Sequence, residues 1–268
     1  VLEAQLSYWE NQLTDISTLE LPLDYVRPVV QDTTGDSIVL ELDEELTSSL
    51  KRLCQEEETT LFMVLLSAFN VLLSRYSNQD DICIGTPVAN RTQLELEGMI
   101  GFFVNTLALR SDLSGDPSFR ELLARVKKTT LEGYDNQLAP FEKVVDKVVT
   151  TRDRSITPLF QVMFVLQNIP EIVEEKVEEE LVEENEFTMS AYDEVGSKVS
   201  KYDLTLHVDE DGTNITLDLG YRTALFDKST INNMLLQYKE LLSSIVKDST
   251  LAISSLSILS EKEELELV

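Results

Sequence analysis

The chain has 268 residues, of which 43% are hydrophobic and 26% charged, and its formal net charge at pH 7 is −27. This composition is typical of a globular protein that is long enough to bury a sizeable core. A field this acidic repels phosphate groups, so the sequence predicts neither a nucleic acid nor an anionic membrane as a partner.

Helices and strands alternate in the first half of the chain. Leu2, Leu6, Trp9 and Leu13 stand at helical spacing and predict an amphipathic helix over residues 1–13. An extended connection over 19–36 follows. The pattern then predicts a strand over 37–42, helices over 43–57 and 59–76, and a strand over 82–85. Helices that alternate with buried strands favour an α/β sandwich.

The second half begins with a turn at 113–117. Ser118 and Glu121 predict a capping box at the start of a helix that runs to about Tyr134, and Pro140 is predicted as the first residue of a helix that runs to Val149. Alternation predicts strands over 161–167, 187–192, 201–209 and 214–221, followed by a helix after Asp227; Asp211-Gly212 predicts a hairpin between the last two strands. The Glu-rich residues 171–186 are typical of a solvated loop.

The stretch Ile100–Arg110 places the polar pair Asn105-Thr106 inside an apolar run that follows Gly101. From Val104 the run predicts a strand that is buried on both faces. A buried Asn amide is costly unless it is hydrogen-bonded, so Asn105 needs a partner within the fold or a polar cavity.

Three stretches resemble, in the same order, the fifth to seventh signature motifs of the condensation domains of nonribosomal peptide synthetases. Ile100–Arg110 is similar to I/V-G-x-F-V-N-T-x-x-x-R. Residues 136–142 are similar to H/N-Q-D-x-P-F-E, with Leu138 where Asp is usual. Residues 152–160 are similar to R-D-x-S-R-N-P-L-F, with Ile156 and Thr157 replacing its Arg-Asn. Residues 21–28 also resemble the family's connector LPTDRPRP.

The resemblance implies a fold. Condensation domains have two lobes, each similar to chloramphenicol acetyltransferase, so we expect an α/β two-layer sandwich: a mixed β-sheet with helices mainly on one face. It also implies that this chain is the C-terminal lobe. Residues 1–35 would then be a helix and connector leading from the N-terminal lobe, 36–252 the lobe itself, and 253–268 the start of a linker to an adenylation domain.

The resemblance implies a reaction as well, in which an acceptor aminoacyl thioester attacks a donor acyl or peptidyl thioester and an amide bond forms. Both substrates ride on phosphopantetheine arms of carrier proteins, so no cofactor would bind this chain directly. The expected partners are the N-terminal lobe, peptidyl carrier proteins and the adenylation domain, in the cytoplasm.

The family's histidine motif, H-H-x-x-x-D-G, is absent from this sequence. The single histidine, His207, is followed by Val-Asp-Glu-Asp-Gly and does not fit the motif. Strand alternation places it opposite Leu204, Leu206 and Val208, as a surface or hydrogen-bonded residue. Two cysteines at no metal-ligand spacing predict no zinc site. We therefore predict no catalytic residue, no metal ligand, and no activity of the chain alone.

The remaining site candidates fall into three groups. Residues proposed for a substrate channel or cleft are Phe103, Asn105, Thr106 and Asn168. Candidates for ion pairs, either between lobes or within this one, are Arg91, Arg110, Arg152 and Asp153. Structural positions of the motifs are Gly101, Gln137, Pro140, Phe141 and Pro158. A buried pair that only fixes strand register is an equally good interpretation of Asn105-Thr106, and a surface role is equally good for Arg91 and Arg110.

Two other functions stay open. The chain could be a non-catalytic module that docks a carrier protein, or an epimerisation domain on the same fold, which the three motifs fit less well. If a second lobe normally covers part of this chain, the uncovered apolar surface is expected to favour self-association.

Overall fold

A computed structural model describes residues 2–150, 153, 155–167 and 199–259. The predictions for residues 171–186, for a strand over 187–192, and for Arg152 and Asn168 lie outside these ranges.

The described residues form one mixed six-stranded sheet in the order β1-β6-β5-β4-β2-β3. Neighbouring strands are antiparallel, except that β4 runs parallel to both β2 and β5. The strands are β1 (Gly35–Leu42), β2 (Asp81–Val88), β3 (Asn105–Asp112), β4 (Val162–Gln167), β5 (Leu204–Glu210) and β6 (Ile215–Arg222).

Seven helices accompany the sheet in the described ranges. Four of them, α2, α3, α5 and α7, pack together over one face, which we call the inner face. Phe164 of β4 points to this side, with its ring 5.4 Å from Phe62 and 6.1 Å from Phe69, both on α3. The sheet and this helix layer confirm the predicted fold class. The helices are α1 (Leu2–Leu13), α2 (Glu44–Glu56), α3 (Leu61–Ser77), α4 (Leu94–Glu97), α5 (Phe119–Asp135), α6 (Phe141–Val148) and α7 (Lys228–Lys247).

The opposite, outer face of the sheet is covered unevenly. The helices α1 and α6 pack on each other and on β3. Beside them the ring of Phe160 lies against Gly85 of β2, 5.5 Å from the ring of Phe141 at the start of α6. Outward side chains of β1 and β5, by contrast, are half-buried or exposed, including Val39 and His207. This second half of the outer face is therefore accessible.

Local capping explains where several helices begin. Asp43 accepts a hydrogen bond from the Leu46 amide at 2.9 Å, and Thr60 accepts one from the Met63 amide at 3.3 Å. The predicted capping box of Ser118 and Glu121 is confirmed.

The start of α6 differs from its prediction by one residue. Pro140 has an extended ψ of 133° and occupies the N-cap, so the helix begins at Phe141. The Phe141 amide donates to Asn105 Oδ1 at 3.1 Å. Asn105, which lies on β3, therefore caps α6 with its side chain. The sequence near Pro140 cannot indicate this contact.

The end of the described chain is fastened to the helices of the inner face. Ile253 and Leu256 are buried, and the Arg75 guanidinium at the end of α3 donates to both of their carbonyl groups. Residues 253–259, predicted as the start of a linker, thus pack on the helical layer. Among the described helices none alone is long and apolar enough to cross a bilayer; α2 and α3 reach that threshold only as a pair, across a bend of 106°.

Candidate functional site

A group of highly exposed large apolar residues lies between β2 and β3, in residues 94–104, which we call the apolar loop. Ile100 is fully exposed and Phe102 is 92% exposed, while Leu94 is 79% exposed. Singly exposed apolar residues are ordinary, but a contiguous group of large ones marks an interaction surface.

Arg91 folds back onto the apolar loop. Its guanidinium carbon lies 4.4 Å from the centre of the Phe103 ring, a cation–π contact, and its Nη1 donates to the Leu96 carbonyl. Gly101 permits the turn, because a Cβ there would lie 2.9 Å from the Phe103 ring. Arg91 and Phe103, predicted separately for an ion pair and for the cleft, therefore act together in shaping this loop.

Asn105 is engaged within the fold at both ends of its amide. Its Nδ2 donates to the carbonyl groups of Gln137 at 2.7 Å and Ala139 at 2.8 Å, and its Oδ1 accepts from Phe141. The side chain thus ties the start of β3 to the residues before α6. Thr106, its neighbour, is half-buried on the outer face opposite Pro87.

Arg110 forms an ion pair within this chain. Its Nε and Nη2 lie 2.8 Å from the two carboxylate oxygens of Asp81, and its Nη1 donates to the carbonyl groups of Gln12 and Thr14. The hydrogen bond to Asp81 raises the pKa of the Arg110 guanidinium. This arrangement locks the end of α1 to the edge strand β3.

The other motif residues are joined to their neighbours. Gln137 Nε2 donates to the Tyr134 carbonyl, and the Pro158 carbonyl accepts from the Phe160 amide. Asp153 accepts from both the amide and the hydroxyl of Ser155, and the backbone hydrogen bond lowers the pKa of its carboxyl.

A buried ionic cluster was missed by the sequence reasoning. Asp203 is 2% exposed and binds two guanidinium groups: Arg27 at 2.5 and 3.0 Å, and Arg222 at 3.2 Å. Arg222 also donates to Gln31 and to the carbonyl groups of Ser200 and Lys201. Burial lowers the pKa of Arg222. Two features of the sequence could have indicated this cluster. One is Arg27 in the connector motif, and the other is the position of Asp203 just before the apolar strand β5 and of Arg222 at the end of β6.

The accessible half of the outer face carries a cavity of about 720 Å³, which we call the open-face cavity. Its floor comes from residues of five strands, β1, β2, β4, β5 and β6, and its wall from residues 199–202. The floor side chains include Ser37, Met163, Val165, Thr205, His207 and Asp218, with Gly220 between them.

His207 lies in this cavity as an exposed side chain and is paired across the strands with Asp218. One carboxylate oxygen of Asp218 is buried and accepts no hydrogen bond within the described residues. The sequence predicted the face on which His207 lies, but not that five strands would place a cavity around it.

A second cavity, of about 890 Å³, lies between the end of α1, the helix α6, Asp153 and residues 156–161. Four carboxylates stand around its mainly apolar lining: Asp15, Glu142, Asp146 and Asp153.

Neither cysteine is a candidate nucleophile. Both are buried, and burial raises the pKa of the Cys54 thiol to about 11 and that of Cys83 further still. In the ranges that the structure describes, no three His, Cys, Asp or Glu side chains group as a metal site.

Comparisons with known proteins assign the chain to a family. The sequence profile of the family described as "Condensation domain" matches residues 1–268. Gramicidin S synthase 2 of Brevibacillus brevis is 42% identical over 265 residues, which cover 98% of this chain and 6% of that protein. Tyrocidine synthase 3 of Brevibacillus parabrevis is 40% identical over 258 residues, which cover 96% of this chain and 4% of that protein. The chain thus spans a small part of the synthetases it matches.

Solved structures give the same result at lower identity. A four-domain nonribosomal peptide synthetase bound to AMP and glycine superposes with a TM-score of 0.84 at 28% identity, over 97% of this chain and 20% of that one. The X-domain from teicoplanin biosynthesis superposes with a TM-score of 0.83 at 26% identity, over 97% of this chain and 57% of that one. With its whole length matched by the family profile and its fold shared with these structures, the chain belongs to the condensation domain family of nonribosomal peptide synthetases.

Proposed function

We propose that this chain is the C-terminal lobe of a condensation domain that joins a donor acyl or peptidyl thioester to an acceptor aminoacyl thioester. The observation that carries the proposal is the family match along the whole chain, in a sequence whose single histidine lies outside any H-H-x-x-x-D-G motif. The chain also accounts for 57% of the X-domain structure, which is about the share that one lobe of two would have.

The catalytic histidine is then supplied by the N-terminal lobe, and this lobe contributes a wall of the reaction chamber. The exposed apolar loop supports a contact with that partner lobe, because Ile100 and Phe102 would lose their contact with water there. Thr106, close to the base of the loop, remains our candidate for the cleft. We assign Asn105 to positioning α6, since its amide is already engaged.

The substrates would arrive on phosphopantetheine arms of carrier proteins, in a cytoplasmic synthetase that also holds an adenylation domain. Residues 249–259 are held against the start of α5, which supports a fixed direction for the chain where it would lead to the adenylation domain. Backbone hydrogen bonds run in both directions between this segment and residues 117–120. The Ile253 amide donates to the Pro117 carbonyl at 2.9 Å, and the Phe119 amide donates to the Leu251 carbonyl.

The test is reconstitution. The chain is mixed with a separately produced lobe of a related condensation domain that carries H-H-x-x-x-D-G, and with loaded donor and acceptor carrier proteins. We expect dipeptidyl thioester only from the mixture, with loss of product when the second histidine of the motif is changed to Ala. Product formed by the chain alone, at a rate near that of an intact domain, would refute the proposal.

A second candidate is a docking module without chemistry. The observation that favours it is the complex of the X-domain and OxyB from teicoplanin biosynthesis, whose structure superposes on this chain with a TM-score of 0.83 at 26% identity. Carrier-protein binding by the chain, together with failure of every reconstituted mixture to form product, would support this function instead.

A further inference from the structure

The open-face cavity places a carboxylate beside apolar side chains. Its floor combines apolar groups, Met163 and Val165, with the hydroxyl of Thr205 and the Asp218 carboxylate. A cavity of about 720 Å³ that brings apolar and polar side chains together has the size of a small-molecule site.

The unsatisfied oxygen of Asp218 indicates which chemistry is needed. A buried carboxylate oxygen without a donor is costly, and no described residue donates to Asp218 Oδ1. Because rotation about the Cβ–Cγ bond of an Asp is easy, a donor in the cavity can meet either oxygen. The charged side chains around it are Asp36 and Asp218, with His207 on the floor and Lys201 exposed at the rim. The net charge of −27 also favours a cation.

We propose that the open-face cavity binds a primary ammonium group attached to a short apolar group, with Asp218 accepting from the ammonium and Met163 and Val165 contacting the apolar part. Thr205 and His207 border the ammonium on β5. The cavity is separate from the apolar loop, which we assigned to the partner lobe.

We identify the physiological ligand as the acceptor aminoacyl group, which carries such an ammonium before it reacts. This identification rests on the proposed function. The binding site itself does not depend on that function, so the two can fail separately.

The test uses L-leucinamide as the probe and N-acetyl-L-leucinamide as its uncharged counterpart, titrated into the isotope-labelled chain and followed by NMR. We expect leucinamide to shift amide signals of β5 and β6 around His207 and Asp218, and the acetylated probe to bind at least about tenfold more weakly, since it lacks the charge-assisted hydrogen bond.

Asp218→Asn should abolish this preference. Asp209→Asn is the matched control, because Asp209 is an exposed carboxylate on the same face of β5 that does not line the cavity. It removes the same charge and should keep the preference. Equal binding of the two probes to the unchanged chain overturns the proposal, as does a preference that survives Asp218→Asn.

In a reconstituted domain, Asp218→Asn should raise the KM for the acceptor about tenfold and leave the donor KM unchanged. An unchanged acceptor KM would refute the acceptor as the ligand while leaving the amine site intact. A domain that forms no product at all would count against the proposed function, without bearing on the probe titration.

Discussion

The ring of Phe160 packs against β2 at Gly85, the one position where this strand has no side chain. A Cβ at Gly85 would lie 2.2 Å from the Phe160 ring, closer than any real contact, and both groups are buried. Phe160 also contacts Phe141 and Tyr202, with ring centres 5.5 and 5.4 Å away, so it cannot move aside easily. Gly85 therefore determines how the residues before β4 pack on the outer face.

Gly85→Ala should lower the free energy of unfolding by about 3 kcal/mol, the upper end of the range for overpacking. Urea unfolding measures this. Gly98→Ala is the control, since a Cβ there meets nothing within 4 Å. The second change Phe160→Leu should recover part of the loss in Gly85→Ala. If Gly85→Ala and Gly98→Ala cost the same, the contact with Phe160 does not restrict residue 85.

Asp203 is the carboxylate that, among the described residues, binds both Arg27 and Arg222 in the buried cluster. Asp203→Asn removes the charge that compensates them, and breaking a buried pair in this way costs about 3–5 kcal/mol. The more exposed pair of Asp81 and Arg110 provides the comparison: Asp81→Asn should cost about 1 kcal/mol or less. Chemical denaturation of both variants would check the order, and a smaller loss for Asp203→Asn would contradict it.

The carboxyl groups that cap two helices predict how the stability of the chain depends on acid pH. Backbone hydrogen bonds lower the pKa of the capping carboxyls Asp43, on α2, and Asp227, on α7. A group whose pKa is lower in the folded state adds stability above its unfolded pKa, about 3.9, and loses it as the pH falls through the folded value. These caps should therefore weaken below about pH 4.

The variant Asp43→Asn/Asp227→Asn isolates this effect, because Asn caps a helix about as well as Asp but does not titrate. Its unfolding free energy should fall less than that of the unchanged chain between about pH 5 and pH 3. Both chains lose net negative charge over this range, so relief of self-repulsion is common to them. Parallel pH profiles of denaturant unfolding would show that the caps carry none of the acid sensitivity.

Most elements could be predicted because their signals are local. The capping residues Asp43, Thr60 and Ser118 stand directly before their helices, and Asp211-Gly212 provides the hairpin with Gly212 at a φ of +88°. Interactions that are distant in sequence could not be predicted. Nothing near Pro140 indicates that Asn105 caps α6, and the short helix α4 has no side-chain cap to signal it.

For the candidate site, too, local features could be predicted from the sequence and contacts between distant residues could not. The apolar run at 100–110 was visible, yet whether Asn105 faced a cleft or a partner depended on residues 137–141, which reach it only after the intervening helix α5. The open-face cavity requires the register of five strands, in which residues as distant in sequence as Ser37 and Gly220 are paired, and no local pattern encodes that.

At the scale of the whole molecule, two surface properties oppose each other. The apolar loop favours association of two copies through Ile100 and Phe102, while a net charge of −27 keeps copies apart. Salt shifts this balance, because the screening length falls from about 10 Å at 0.1 M to about 3 Å at 1 M. Burial of apolar surface is not weakened in the same way.

We therefore expect the chain to be monomeric at low salt and to associate as NaCl is raised to about 1 M, as measured by sedimentation velocity. Ile100→Ser/Phe102→Ser should stay monomeric at every salt concentration and unfold at the same urea concentration, since neither side chain belongs to the core. Leu131→Ser, at an exposed position of α5, is the control and should associate like the unchanged chain. Association that persists in the loop variant would mean that another surface drives it, and would count against our proposal that the apolar loop contacts a partner lobe.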